Sequence, residues 1–296
     1  MNAANQIVNA GQSGTGFLAG TGFLPQLVLA IVILLVMHLL FFALEGLYRS
    51  YKRYDKAVTE ILPLTYTTDK QYTVPQDPSD PESIPVTLSD NERTGLELSY
   101  SFHIFVNSNT FASGTAGLAH VFHKGYARQY PLLAPGVYMK TNENTMRIYM
   151  NSAADWNTYI DVENFPVQKW VHVAIVVRDN GLEVYINGDL SKRLVYHGSV
   201  PYQNFGNIYA FSPRNFQLTC NDQTGQCVVN SLKGQSYVVS GRMTGQLSRL
   251  RHFNYALSYT EIASLVKEGP NPKMAGQDEN KPPYLVDTWW TTQYNK

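Results

Sequence analysis

This chain carries little charge and no excess of either sign. Its 296 residues hold 23 Lys and Arg against 23 Asp and Glu, and charged residues make up only 16%. A nucleic-acid binder normally presents a basic face or stripe, so no nucleic-acid partner is expected. Cysteine is nearly absent. Cys220 and Cys227 are the only two, and they bracket Asn-Asp-Gln-Thr-Gly-Gln, which reads as the tip of a hairpin. Either they close a local disulfide, which favours an oxidising compartment, or they remain two free thiols. No asparagine stands in an Asn-x-Ser/Thr acceptor pattern, a lack easier to understand in a domain that never enters the secretory lumen. A Gly-rich phosphate loop, a nucleophile elbow and a Cys/His catalytic pairing are missing too.

Long apolar runs are also lacking, with one exception. From Leu27 to Leu47 only His38 and Glu45 are polar interruptions. About 20 apolar residues suffice to cross the hydrocarbon core of a bilayer. A helix packed in a soluble core would show a polar stripe, whereas this one is apolar all round. A cleaved signal peptide starts with basic residues, and here no charge precedes Glu45, so a retained anchor is expected. Arg49, Lys52, Arg53 and Lys56 follow directly. Positive residues on that side alone place the C-terminal part in the cytosol, and anionic head groups account for the cluster. His38 has no visible partner and reads as a tolerated polar position.

What the chain has in quantity is tyrosine, 20 residues. A polar, uncharged, aromatic surface suits packing against other proteins or stacking on sugars. Residues 1–24 are rich in Gly, Asn and Ala and repeat Gly-Thr-Gly-Phe-Leu twice, too little for a domain, so a flexible segment is expected there. A transmembrane helix is expected over 25–47. A basic juxtamembrane helix running toward Leu62 and a Pro-rich linker fill 48–93, because Pro63, Pro75, Pro78, Pro81 and Pro85 lie among Thr, Asp and Ser.

From Thr94 the period becomes two. Leu96, Leu98, Tyr100, Phe102, Ile104 and Val106 alternate with Glu97, Ser99, Ser101 and His103, the pattern of a strand with one buried face. Similar runs recur between turn signals, among them Asn187-Gly188, a hairpin dipeptide. The fold expected is mainly β, a sandwich. One late helix is clear, since Ser258 and Glu261 have capping-box spacing and Gly269-Pro270 ends it. The tail 271–296 is polar and Pro-rich, and its tandem Trp289-Trp290 is expected to dock on this domain, on a partner or on the bilayer interface.

Two stretches resemble the laminin-G-like branch of the concanavalin A-like lectin/glucanase family. One is Trp170-Val-His-Val-Ala174 followed by Val184-Tyr-Ile-Asn-Gly188, and the other runs from Gly245-Gln-Leu through Phe253-Asn-Tyr-Ala-Leu257 to Glu261. The resemblance covers residues 94–270 and implies a jelly roll of two facing antiparallel sheets. In it Trp170 would bury its ring at the start of a strand, and Ala174 would leave room where the sheets approach. Hydrolases of this fold carry Glu-x-Asp-x-(x)-Glu on one strand, which is missing here. Glu97, Glu143, Glu163 and Glu183 are isolated singles, whereas retaining hydrolysis needs two carboxyls about 5–5.5 Å apart. No enzyme and no cofactor are expected. Calcium stays open through Asp155, Asp161 and Asp189, which lie near turns without dense ligand spacing. His120 and His123 look like a metal pair, yet an offset of three on a strand puts them on opposite faces unless a bulge intervenes.

Two functions compete on these grounds. In the first, the whole chain is similar to membrane-anchored virion proteins of large DNA viruses, a minor capsid protein bridging an internal bilayer to neighbouring structural proteins. In the second it is a membrane-bound lectin, with Trp156, Asn157 and Tyr159 as the glycan-binding set.

Overall fold

The computed structural model describes residues 23–55, 58–89, 91–92, 95–112, 114–130, 132–153, 157–178, 181–196, 200–219 and 236–276. They fall into two units divided between residues 56 and 57. The first is a single helix, α1 (Phe23–Asp55). Gln26–Tyr48 within it has a mean hydropathy of 3.1, and none of its side chains is buried by the protein. Leu34 and Phe41 stand 71% and 67% exposed. Rings and branched chains open on every side of a helix lose roughly 1.5–3 kcal/mol each in water relative to an apolar surround. The segment is long and apolar enough to cross a membrane, and it fits a single-pass anchor or a signal sequence. The helix stops at Asp55 and does not continue toward Leu62.

The second unit is a sandwich. Its first sheet runs in the order β1 (Val58–Thr67), β16 (Gly245–Phe253), β5 (Leu98–Val106), β10 (Trp170–Arg178), β11 (Gly181–Ile186) and β12 (Asp189–Val195). The second follows β14 (Asn215–Thr219), β15 (Ser236–Arg242), β6 (Leu118–Gly125), β7 (Leu133–Lys140), β8 (Met146–Tyr149) and β9 (Tyr159–Val162). β13 (Ile208–Ala210) joins β6 to β2 (Tyr72–Val74), and β3 (Asn91–Glu92) pairs with β4 (Gly95–Leu96). All these pairings are antiparallel except β15 with β6.

The core lies between the sheets. Phe102, Ile104, Val171, Val173 and Ile175 from the first face Val121, Val137, Met139 and Ile148 from the second, all fully buried. The period-two reading of β5 and β10 is therefore the true one. The β10–β11–β12 meander turns at Asn187-Gly188, which adopt φ of 51° and 96°, angles that Asn and Gly tolerate. Helix α2 (Tyr259–Glu268) starts with the expected capping box: Ser258 Oγ accepts from the Glu261 amide, and Glu261 accepts from the Ser258 amide at 2.7 Å. It presses Ile262 onto the outer face of the first sheet.

Four expectations need correction. The stretch read as a Pro-rich linker contains β1 and β2, so the sandwich begins at Val58 rather than Thr94. Pro63 is tolerated because β1 is the edge strand and its register with β16 shifts on either side of Leu62. The tail read as starting at 271 is docked at its root, where the Thr65 amide donates to the Lys273 carbonyl and the Ala275 amide to that of Thr65. Trp170 opens β10 but is only half-buried, edge-on to Phe105 at 5.8 Å. Ala174 faces away from the opposite sheet and makes room for α2 against Val176, Leu257 and Ile262.

Candidate functional site

The outer face of the second sheet gathers the unusual chemistry. Along β6, Ala119 and Val121 point into the core and so does Phe122, because the pairing with β7 slips between His120 and Phe122. That bulge puts His120 and His123 on the same outer face, against the strand-offset expectation. Their rings meet, with His120 Nε2 2.7 Å from His123 Nδ1. Donor logic fixes the protons. The Ser212 amide donates to His120 Nδ1 at 3.0 Å, so that nitrogen is bare and Nε2 carries the hydrogen. His123 must then donate from Nε2 to the Tyr126 carbonyl, 2.9 Å away. Burial, aided by His123, holds His120 well below the ordinary histidine range. His123 is pushed down to about 4 by burial, with the Arg214 charge adding to it against the Tyr126 hydrogen bond. Both rings are therefore neutral at pH 7, and the pair anchors the turn that begins at Tyr126.

A second anchor adjoins it on the core-facing side of β6, where Lys124 lies opposite Ile208. Lys124 is buried, and its ammonium donates to the carbonyls of Asn204 at 2.5 Å and Gly206 at 3.0 Å. Burial lowers its pKa to about 8, so the charge persists at pH 7. Asn204 answers by donating to the Lys124 carbonyl at 3.1 Å, and its oxygen accepts from the Gly206 amide. Gly206 packs so tightly that a Cβ there would lie 2.5 Å from the Gly125 backbone. The apex of this clamped loop is Phe205, 81% exposed.

Beside these anchors runs a groove of about 340 Å³, lined by Arg128, Tyr130, Arg214, Asn215, Phe216 and Leu218. An adjoining hollow adds Tyr126 and Ala127. Arg128 and Arg214 are exposed, and neither forms an ion pair with a described residue. Gln129, between Arg128 and Tyr130, takes φ of 65° and buries an amide side chain without a partner among the described residues. Beneath lies a layer of rings, Tyr138, Tyr149 and Tyr237, packed with Phe216.

Of the residues singled out from the sequence, few meet. Trp156, Cys220, Cys227, Trp289, Trp290, Asp155 and Lys56 lie outside the described residues, and Arg49, Lys52 and Arg53 fall on α1. Asn157 is buried. The Tyr159 ring is covered by the Arg147 guanidinium at 3.9 Å, which itself grips Asp161 through two 2.7 Å bonds. Burial would raise the Asp161 pKa, yet the hydrogen bonds from Arg147 and Lys140 hold it below the usual carboxylate range. Its oxygens are thus engaged by cations, and no group of three or more metal-ligating side chains forms among the described residues. The isolated carboxylates have structural partners: Glu143 pairs with Lys140, Glu163 with Lys192, and Glu183 with Tyr185 and Arg193. Sequence reasoning missed Lys124, Arg128, Phe205 and Arg214. Their local cue was only a Lys-Gly-Tyr-Ala-Arg stretch after a strand.

The profile of the concanavalin A-like lectin/glucanases superfamily, in its laminin-G form, matches residues 80–263. The chain belongs to this superfamily. No curated protein matches it by sequence. Among solved structures it is similar to the binding domain of Paraclostridial Mosquitocidal Protein 1, at 14% identity and a TM-score of 0.43 over 69% of this chain and 42% of that one. The binding domain of botulinum neurotoxin DC in complex with rat synaptotagmin II gives 14% and 0.39 over 58% and 36%. A heptameric SAP-like pentraxin from Limulus polyphemus gives 16% and 0.38 over 74% and 87%. The chain spans less than half the length of the two toxin domains.

Proposed function

We propose that this protein is a non-enzymatic, membrane-anchored binding module whose sandwich bridges a bilayer to neighbouring structural proteins. The carrying observation is the union in one chain of an apolar helix with no buried side chain and a lectin-type sandwich whose glutamates Glu143, Glu163 and Glu183 are tied to cations. The basic run after the apolar segment supports a sandwich on the cytosolic side. In its most specific form the reading is a minor capsid protein of a large DNA virus, holding an internal virion membrane to its shell. Isolation from the native source in mild detergent, cross-linking and mass spectrometry test it. Fixed-ratio contacts with shell-forming proteins are expected, and the absence of any stable protein neighbour contradicts it.

A membrane-bound lectin is the second reading, favoured by the superfamily. Asn157 and Tyr159 give it little open surface, because one is buried and the other lies under Arg147. On an oligosaccharide array this reading requires binding that Trp156→Ala abolishes.

A further inference from the structure

We propose that the groove between β14 and the Tyr126–Tyr130 turn is the docking site for an extended, acidic segment of a partner protein, laid over the side chains of β14. This rests on the reading of the chain as a protein-binding module and names the chemistry of its partner.

Charge selects the occupant. Arg128 and Arg214 border the groove with no ion pair to any described residue, and the planar guanidinium fork matches carboxylates in two-point contact. The floor selects its shape. Phe216 and Leu218 alternate along β14 on the face that holds Tyr237, and with Tyr130 they line an elongated apolar floor. Tyr130 is buried and Phe216 half-buried, which leaves little open ring face on which a sugar would stack.

The turn is also held in advance. The His120–His123 relay fixes the Tyr126 carbonyl, Lys124 clamps the Phe205 loop, and Gln129 keeps a left-handed backbone angle together with a buried amide that has no partner among the described residues. An unsatisfied buried amide is costly, and backbone strain gathers where a surface must keep one shape. Rigid presentation lowers the ordering cost of binding. Tyr126 at the mouth, 56% exposed, adds an aromatic of the kind that anchors interfaces.

The test is selection of random dodecapeptides displayed on phage against the full chain in detergent, with R128E/R214E as counter-selection and R128K/R214K as the control for fold and charge. The expected peptides carry carboxylates at alternate positions and bind the wild type at least tenfold more tightly than R128E/R214E. R128K/R214K retains most of that binding, and the difference shrinks in high salt. Enriched peptides without acidic bias, no enrichment over the charge-reversed variant, or a heparin oligosaccharide that displaces them with the same arginine dependence would each overturn the proposal. The outcome is separable from that of the broader reading: protein neighbours cross-linked elsewhere on the sandwich leave the binding module standing and remove this groove.

Discussion

The two outer faces of the sandwich are finished in opposite ways. On the first sheet, α2 covers Ala174 and Val176, Ser99 bonds both the Tyr255 carbonyl and the Leu257 amide, and the Glu268 carboxylate closes on Arg249 and Arg251. On the second sheet, a groove whose two arginines form no ion pair among the described residues borders the tyrosine layer. One face is covered by its own chain, and the other holds positive charge beside a layer of rings. Interfaces favour Arg and aromatics in this way, while a self-covered face has no need of a partner.

Acid is the strongest way to disturb both faces together. His103, His123, His172 and His252 are depressed to about 4, 4, 3 and 3, in each case first by burial. At His103 and His172 neighbouring charges act as well, with Arg249 or His103 lowering and Glu268 raising. His120 is also held well below its usual range, first by burial and then by His123. Below pH 6.5 the unfolded chain binds protons that the folded one refuses, so stability falls as pH drops from about 6.5 toward 4 and is unaffected by these groups above that window. Each histidine contributes a slope of up to about 1.4 kcal/mol per pH unit. The melting temperature of the full chain in detergent is expected to drop steeply between pH 6.5 and 5, and a flat profile there would show that the histidines are not buried as described.

Smaller lesions separate the faces. Lys124→Met keeps the aliphatic stem but orphans the Asn204 and Gly206 carbonyls, and is expected to destabilise by about 1–3 kcal/mol. Gly206→Ala drives a Cβ into the Gly125 backbone and is expected to cost about as much through overpacking. Ser258→Ala removes the cap of α2, with an expected loss of about 1 kcal/mol. Urea denaturation orders these three. The sharpest contrast comes from the first and last, since Lys124→Met is expected to weaken partner binding and Ser258→Ala to leave it unchanged. R128E/R214E is expected to shift stability by no more than about 0.5 kcal/mol, because both side chains are exposed.

Much of the sandwich was legible because one-sided burial writes itself as period two. β5, β10 and β11 could be read that way, as could the Asn187-Gly188 turn and the Ser258–Glu261 cap. β1 was hidden because an edge strand with register shifts tolerates Pro63, and proline-rich composition reads as linker. The His120–His123 meeting was hidden for a related reason. A bulge adds one residue to a strand and exchanges its faces downstream, and nothing in the residues His-Val-Phe-His announces it. The groove combines β14 with a turn some ninety residues earlier in the chain, so only the fold assembles it. Trp156, the residue most suggestive of a ligand, stands beside an asparagine that is buried and a tyrosine covered by an arginine.

The most direct measurement places a photo-reactive p-benzoylphenylalanine at Tyr126, which lines the hollow beside the groove, in one preparation and at Tyr259, an exposed residue of α2, in another. Both proteins are irradiated in their native membrane. Protein adducts from position 126 and few from 259 are the predicted result. Equal labelling from both positions, or adducts from 259 alone, would contradict the claim that the second sheet carries the binding face.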